Sequence, residues 1–228
     1  MRITLIDWGL SFPVLFTPQS REDNGDLKYS ATFVASPASS VQIKKDDESK
    51  TYPAEKLQAF FAAAIKKVAC AKFGDLSPGA LAKIEQWAWN KADGSHGAQK
   101  PKSDDDGNYW GGYEEGQAWY ITAAKNQTKL ANGILKVLDG NKDMVKPASG
   151  LIHAGCRVNA IIDLYAMDHK KAGKIISASL EGVQWAGIGE NFGGSPDDLD
   201  TDEFGTVAMD GLDETDFNAE DEEDEVEL

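Results

Sequence analysis

The chain has no apolar run near the roughly 20 residues that a bilayer-spanning helix needs. Its amino terminus, Met1-Arg-Ile-Thr-Leu-Ile-Asp7, lacks the long apolar region and small-residue cleavage site of a signal peptide. A membrane or secreted protein is therefore not expected. Cysteine is scarce. Cys70 falls on an apolar helical stripe and Cys156 beside a strand, a pattern of buried thiols in a reducing cytosol rather than of a disulfide framework. His96, His153 and His169 are scattered without metal-ligand spacing, so neither metal nor cofactor is expected.

The signatures of enzymes are missing too. Gly187-Ile-Gly189-Glu-Asn-Phe192 starts like a dinucleotide loop, but Phe192 holds the place of the third glycine and no helix follows. Asp104-Asp-Asp-Gly107 resembles a calcium loop, yet with Gly107 at the sixth position the first would be Lys102. There is no phosphate-loop lysine and no Ser/His/Asp spacing. The most uneven shortage is of positive charge. Residues 196–228 hold 16 of the 38 acidic residues and no Lys or Arg, which leaves residues 1–195 at about +1. The net charge of -15 thus belongs to a tail on a near-neutral body, and local charge sets the field at a binding face.

What is present has two periods. Residues 12–17 and 27–35 read as strands. In the second, Leu27, Tyr29, Ala31 and Phe33 share one face, and Lys28, Ser30 and Thr32 the other. A polar turn centred on Asn24-Gly25 joins them. Pro53 and Glu55 suit the first turn of a helix carrying Leu57, Phe61, Ala64, Ile65 and Val68 on one side and Lys66 and Lys67 on the other. Ser77-Pro78 starts a second helix through Leu81, Ile84 and Trp87. Residues 92–116 form a polar loop long enough to suggest function. Strand character returns at Gln117–Lys125, with a short apolar run at Ile134–Leu138. Arg157–Tyr165 alternates strictly, with Val158, Ala160, Ile162 and Leu164 on the apolar side. Ala166–Gly173 reads as a hairpin connection into Lys174–Trp185. The fold expected is mainly β with a helical insertion at about 53–91: an OB-fold-like, antiparallel, five-stranded barrel over residues 1–195. Residues 196–228 carry too little apolar surface to offset ordering and are expected to be a disordered acidic tail.

Aromatics interleaved with bases suggest single-stranded nucleic acid, because unpaired bases stack on rings while Lys and Arg neutralise phosphates. The candidate contacts are Lys28, Lys102, Tyr109, Trp110, Tyr113, Tyr120, Lys125, Lys129, Arg157 and Tyr165. Trp119 and Tyr120 point oppositely, so only one of them can stack on a ligand. Trp87, Trp185 and Phe33 read as core. The tail ends Asp221-Glu222-Glu223-Asp224-Glu225-Val226-Glu227-Leu228, a segment suited to mimicking nucleic acid in the cationic groove and to docking partners. Two rival readings are a metal-dependent nuclease and an acidic DNA mimic that binds a host DNA-binding protein.

The order of several blocks carries a resemblance. Lys28-Tyr-Ser-Ala-Thr-Phe-Val34 leads into the Lys56–Phe73 helix. Trp119-Tyr-Ile-Thr122, His153-Ala-Gly-Cys-Arg-Val-Asn-Ala-Ile-Ile-Asp-Leu-Tyr165 and Gly173-Lys-Ile-Ile-Ser-Ala-Ser-Leu-Glu-Gly-Val-Gln184 follow, and Gly193-Gly194 precedes the acidic tail. Over most of its length the chain resembles the single-stranded DNA-binding proteins of double-stranded DNA bacteriophages. The resemblance implies an OB-fold and non-sequence-specific ssDNA binding in phage replication and recombination, without catalysis, in the cytoplasm of the infected bacterium. It also implies that the tail docks phage or host replication proteins such as a polymerase or helicase. Leu228 stands where many such tails carry Phe.

Overall fold

The computed structural model describes residues 1–20, 25–45, 48–85, 89–97, 100–169 and 173–192. Met1–Gly194 form one compact unit and Ser195–Leu228 a second, which lies outside the described residues. The expected turn centre at Asn24, the core assignment of Trp87, the Gly193-Gly194 pair and the whole tail also fall outside them.

Among the described residues, nine strands and two α-helices follow in the order β1 (Arg2–Gln19), β2 (Lys28–Val34), β3 (Ser40–Lys45), β4 (Glu48–Pro53), α1 (Leu57–Phe73), α2 (Pro78–Glu85), β5 (Asn90–Lys91), β6 (Trp119–Asn126), β7 (Val137–Leu138), β8 (Arg157–His169) and β9 (Gly173–Gly187). Five of them close on themselves. β1 pairs β2, β2 pairs β6, β6 meets β9 in parallel at Ala124 and Ser179, β9 pairs β8, and β8 returns to β1. That ring is the expected five-stranded OB-fold-like barrel, except that its β6–β9 closure is parallel where antiparallel pairing was expected throughout. The β3–β4 hairpin hangs from β1 along Thr4–Ile6.

Alternation decides which side chains fill the barrel. Tyr29, Ala31 and Phe33 of β2 and Val158, Ala160, Ile162 and Leu164 of β8 are all buried, as their spacing requires. Leu27 precedes β2 and stays exposed. α1 adds Leu57, Phe61, Ala64 and Ile65 to this core and leaves Lys66 and Lys67 in solvent. The Ser77 hydroxyl accepts the Ala80 N–H at 3.3 Å, the cap expected for α2.

Three elements differ from the sequence reading. Pro53 closes β4 rather than opening a helix, and a single 3-10 turn, Ala54–Lys56, intervenes before α1. The hairpin β3–β4 occupies a stretch to which the sequence reading assigns no element; its strands are Lys- and Ser-rich and one of them is almost wholly exposed. Residues 166–169, expected as part of a connection, belong to β8, paired through His169 with Gly173; residues 170–172 lie outside the described ones. A polar strand end that projects beyond the core has no apolar side to betray it.

Candidate nucleic-acid interface

β1 is one long strand whose ladder is broken at two places. The first is at Asp7, whose φ of 60° interrupts the register with β8 between Leu5 and Trp8. Here β1 changes partners, from β3 at Thr4–Ile6 to β2 from Gly9 onward. Asn159 Oδ1 accepts the Asp7 N–H at 3.1 Å. Arg157 Nε donates to Asp7 Oδ1 at 2.8 Å and Nη1 to Ser36 Oγ at 2.9 Å, while Nη2 donates to the Asp7 carbonyl. Arg157, expected as a phosphate contact, is thus committed to the strand break. The charge is half-buried, and three of its five N–H donors are already engaged.

The second break is at Phe12-Pro13. Proline in a strand marks an edge or a bulge, because it has no N–H to give. The register with β2 slips between Ser11 and Val14, and Phe12 takes a φ of 47°. A bulky residue there is strained by about 1–3 kcal/mol. The distortion turns the Phe12 ring outward, 49% exposed. It meets Trp110 edge-on at 5.3 Å and Tyr113 in a stacked arrangement at 6.4 Å.

The long loop supplies the other side. It is tied down by its own backbone: Lys102 N–H donates to the Ala92 carbonyl, Trp110 N–H to the Lys102 carbonyl, and Ala92 N–H to the Ala118 carbonyl. Its acids make turns. Asp104 Oδ1 accepts the N–H groups of Asp106 and Asn108. Bonds from Asn108, led by its side-chain amide, hold the Asp104 carboxyl below its ordinary range. The Lys91 ammonium and then the Ser95 hydroxyl lower Asp93 to about 2. Phe192 closes over Gly9, Gly111 and Gly112, where a Cβ at any of the three would lie within 3 Å of it.

Under the loop sits a small apolar cluster of Val34, Ala92, Tyr113 and Tyr120, with Tyr109 packed against it. Tyr113 and Tyr120, expected as stacking platforms, are fully buried, and their rings meet edge to face at 5.7 Å. Burial pushes the Tyr113 phenol up to about 12 and raises that of Tyr120 as well. Lys102 Nζ lies over Tyr120 at 4.9 Å and over Phe12 at 5.4 Å. The cluster is therefore a foundation that presents a cation and two outer rings, Phe12 and Trp110.

From this corner a groove of about 310 Å³ crosses the outer face of the barrel. Phe12 stands at one end. The floor runs over Lys28 and Ser30 of β2, Thr122 and Ala124 of β6, and Ser177 of β9. The hydroxyls of Thr32 and Thr122 bond each other across the β2–β6 pair at 2.9 Å. Tyr165, 40% exposed, pairs with Ser177 and flanks the groove on β8. Of the expected residues, Lys28, Lys102, Trp110 and Tyr165 converge on this face. Lys125 does not offer its charge freely, being bonded to Glu181 Oε1 at 2.6 Å. Lys129 is exposed on the 3-10 turn after β6. Phe12 was missed by sequence reasoning; its signal was the proline inside a strand. Among the described residues no three His, Cys, Asp or Glu side chains gather as a metal site, and no helix is long and apolar enough to cross a membrane.

The same barrel occurs in the single-stranded DNA-binding protein from bacteriophage Enc34 in complex with ssDNA. That structure aligns with a TM-score of 0.54 and 20% identity, over 84% of this chain and 89% of that one. A C-terminal truncation of the same protein aligns with a TM-score of 0.53. Putative protein p50 of Acyrthosiphon pisum secondary endosymbiont phage 1 is 29% identical over 194 residues, 85% of this chain and 88% of that protein. The family model of the Enterobacter phage Enc34 ssDNA-binding protein matches residues 1–224. By that match along almost its whole length, the chain belongs to the Enc34 family of phage ssDNA-binding proteins.

Proposed function

We propose that this chain binds single-stranded DNA without sequence preference, as a non-catalytic coat protein in phage replication and recombination within the infected cell's cytoplasm. The observation that carries the reading is the corner where Phe12 and Trp110 present ring faces beside the Lys102 ammonium, at the head of a groove over β2, β6 and β9. Bases of any identity stack on such rings, at about 1–3 kcal/mol each. The floor of small hydroxyl and methyl side chains admits a splayed strand and offers no rigid donor pattern to select one base.

The tail enters this proposal through its charge. Its 16 acids face a body of about +1. We read it as a polyanion that competes with DNA phosphates for the body's lysines, and as a docking segment for replication proteins, with Asp221, Glu222, Glu223, Asp224, Glu225, Glu227 and Leu228 at its tip. Deleting residues 196–228 should tighten ssDNA binding, most at low salt, where screening extends only beyond about 30 Å at 0.01 M.

A titration of fluorescent ssDNA, duplex and RNA against salt tests the reading. Single strands should bind more tightly than duplex, with a log–log salt slope of roughly -0.7 per phosphate neutralised. Equal affinity for duplex, or a slope of zero, would overturn it. Loss of the oligonucleotide's length on incubation with magnesium or manganese would favour the nuclease reading instead.

A further inference from the structure

The aromatic core does not stop inside the barrel. Phe61 of α1 stacks on Trp89 at 4.2 Å and 16°, Trp89 stacks on Trp119 at 5.3 Å and 13°, and His96 leans on Trp119 at 5.1 Å and 57°. Burial falls along this series, from Phe61 and Trp89 inside to half-buried Trp119 and His96. Trp119 and Tyr120 leave β6 on opposite faces. Tyr120 enters the cluster beneath Lys102, whereas Trp119 turns toward α1 and away from the outer groove.

Trp119 lines two hollows beside α1. One, of about 280 Å³, is bounded by Gln58, Ala62, Ile65, Trp89, His96 and Trp119. The other, of about 200 Å³, shares Gln58, Trp89 and Trp119, and its remaining wall includes Ser36, Leu57 and Gln117. Neither wall contains an Asp, Glu, Lys or Arg. The walls therefore suit a flat neutral group and not a phosphate. Two hydrogen-bonding groups stand idle there among the described residues. Gln58 is exposed on α1, and its amide appears in no hydrogen bond. Trp89 Nε1 is buried with no acceptor. A buried indole N–H is ordinarily satisfied, so an unsatisfied one beside two hollows marks a place where an acceptor belongs.

We propose that this is a second nucleobase site: an unpaired base of a strand that extends past the outer groove stacks against Trp119 and His96, within reach of the Gln58 amide and against the wall that Trp89 completes. The proposal rests on the ssDNA-binding reading and adds to it a length dependence. A strand too short to round the long loop fills the groove alone, and a longer one gains the second base.

Photocrosslinking of the full chain to oligothymidylate carrying 5-iodouracil tests this, with about 6 and about 20 nucleotides as the two lengths, spanning the sizes OB-folds occupy. The long strand should crosslink to peptides containing Trp119 or His96 as well as to Phe12 or Trp110, and the short strand to the latter alone. Trp119→Leu and Gln58→Ala, one in the ladder and one on the exposed face of α1, should weaken the long strand, about tenfold for the lost ring, and leave the short one unchanged. If wild-type protein binds both lengths and crosslinks only at the groove, with Gln58→Ala silent at each, the second site is wrong and the groove stands. If wild-type protein binds neither length, both readings fall.

Discussion

The two halves of the groove are built in different ways. The strand half, with Lys28, Ser30, Thr122, Ser177 and Tyr165, lies on regular antiparallel ladders, and its side chains are sorted by alternation alone. The loop half, with Phe12, Lys102 and Trp110, rests on a strained bulge and on a buried tyrosine cluster under a long connection. On the proposed reading, the difference sets where affinity for a strand is expected to concentrate. A ladder spaces groups evenly but thinly, whereas a bulge and a pinned loop gather two rings and a cation at one corner. Strain at Phe12 is maintained by the fold, as expected of a site selected for presentation rather than stability.

That contrast can be sharpened by mutation, beginning with the residue that belongs to neither half. Arg157→Ala should act on stability. It removes an ion pair of 2.8 Å and leaves the Asp7 carbonyl and carboxylate underserved at the first break of β1. The expected loss is about 2–4 kcal/mol of unfolding free energy, measurable by urea titration, with little change in ssDNA affinity per folded molecule. A stable variant with weakened binding would return Arg157 to the DNA contacts.

Trp110→Ala should weaken ssDNA binding by about 1–3 kcal/mol while the melting temperature holds, since the ring is 41% exposed. Tyr165→Ala, on the ladder half, should weaken it less, by about 1 kcal/mol. If Tyr165→Ala has the larger effect, affinity is concentrated on the strands and the comparison is reversed. Lys28→Ala should have the smallest effect, lowering the magnitude of the log–log salt slope by roughly 0.7 without altering preference among base sequences.

The tyrosine foundation makes a prediction in pH. The Tyr113 phenol is held up to about 12 by burial, against an ordinary value of 10.0. Between those values the unfolded chain releases its proton and the folded one does not, so this group's contribution falls as pH rises from about 10 to about 12. Below that window it is constant. Thermal melts of wild type should therefore decline through this range, and Tyr113→Phe should flatten the decline. Its neutral-pH stability should stay close to wild type, because the buried Tyr113 hydroxyl has only Ser11 beside it and makes no well-formed hydrogen bond.

How much of this was legible in the sequence follows from the same physics. The burial of Val158, Ala160, Ile162 and Leu164, and with it the exposure of Tyr165, comes straight from a period of two. The five-strand barrel, α1 and the Ser77 cap were legible for similar reasons. The β3–β4 hairpin was not, because β4 is almost wholly exposed and β3 offers only Val41 and Ile43, too short an alternation to stand out. Composition placed Lys102 and Trp110 near a binding face. It did not separate them from Tyr113 and Tyr120, since aromatic chemistry is the same above and below a loop until packing assigns an inside. The bonds of Arg157 to Asp7 and Ser36 were not legible, because alternation puts Arg157 outside the barrel without revealing that Asp7 breaks the strand there. Phe12 was legible in principle, through Pro13, but a bulge's direction is set by tertiary contacts with Trp110 and Tyr113.

The most direct test of the loop half is Phe12→Gly, followed by ssDNA affinity and thermal stability on the same preparation. Glycine adopts a φ of 47° without strain, so relief of the backbone offsets the lost ring contacts. The account predicts that the melting temperature stays within a few degrees of wild type or rises, while ssDNA affinity falls at least about fivefold, the lower end of one stacked ring. Undiminished affinity in a variant that melts with the wild type would contradict the claim that this corner is where the strand is held.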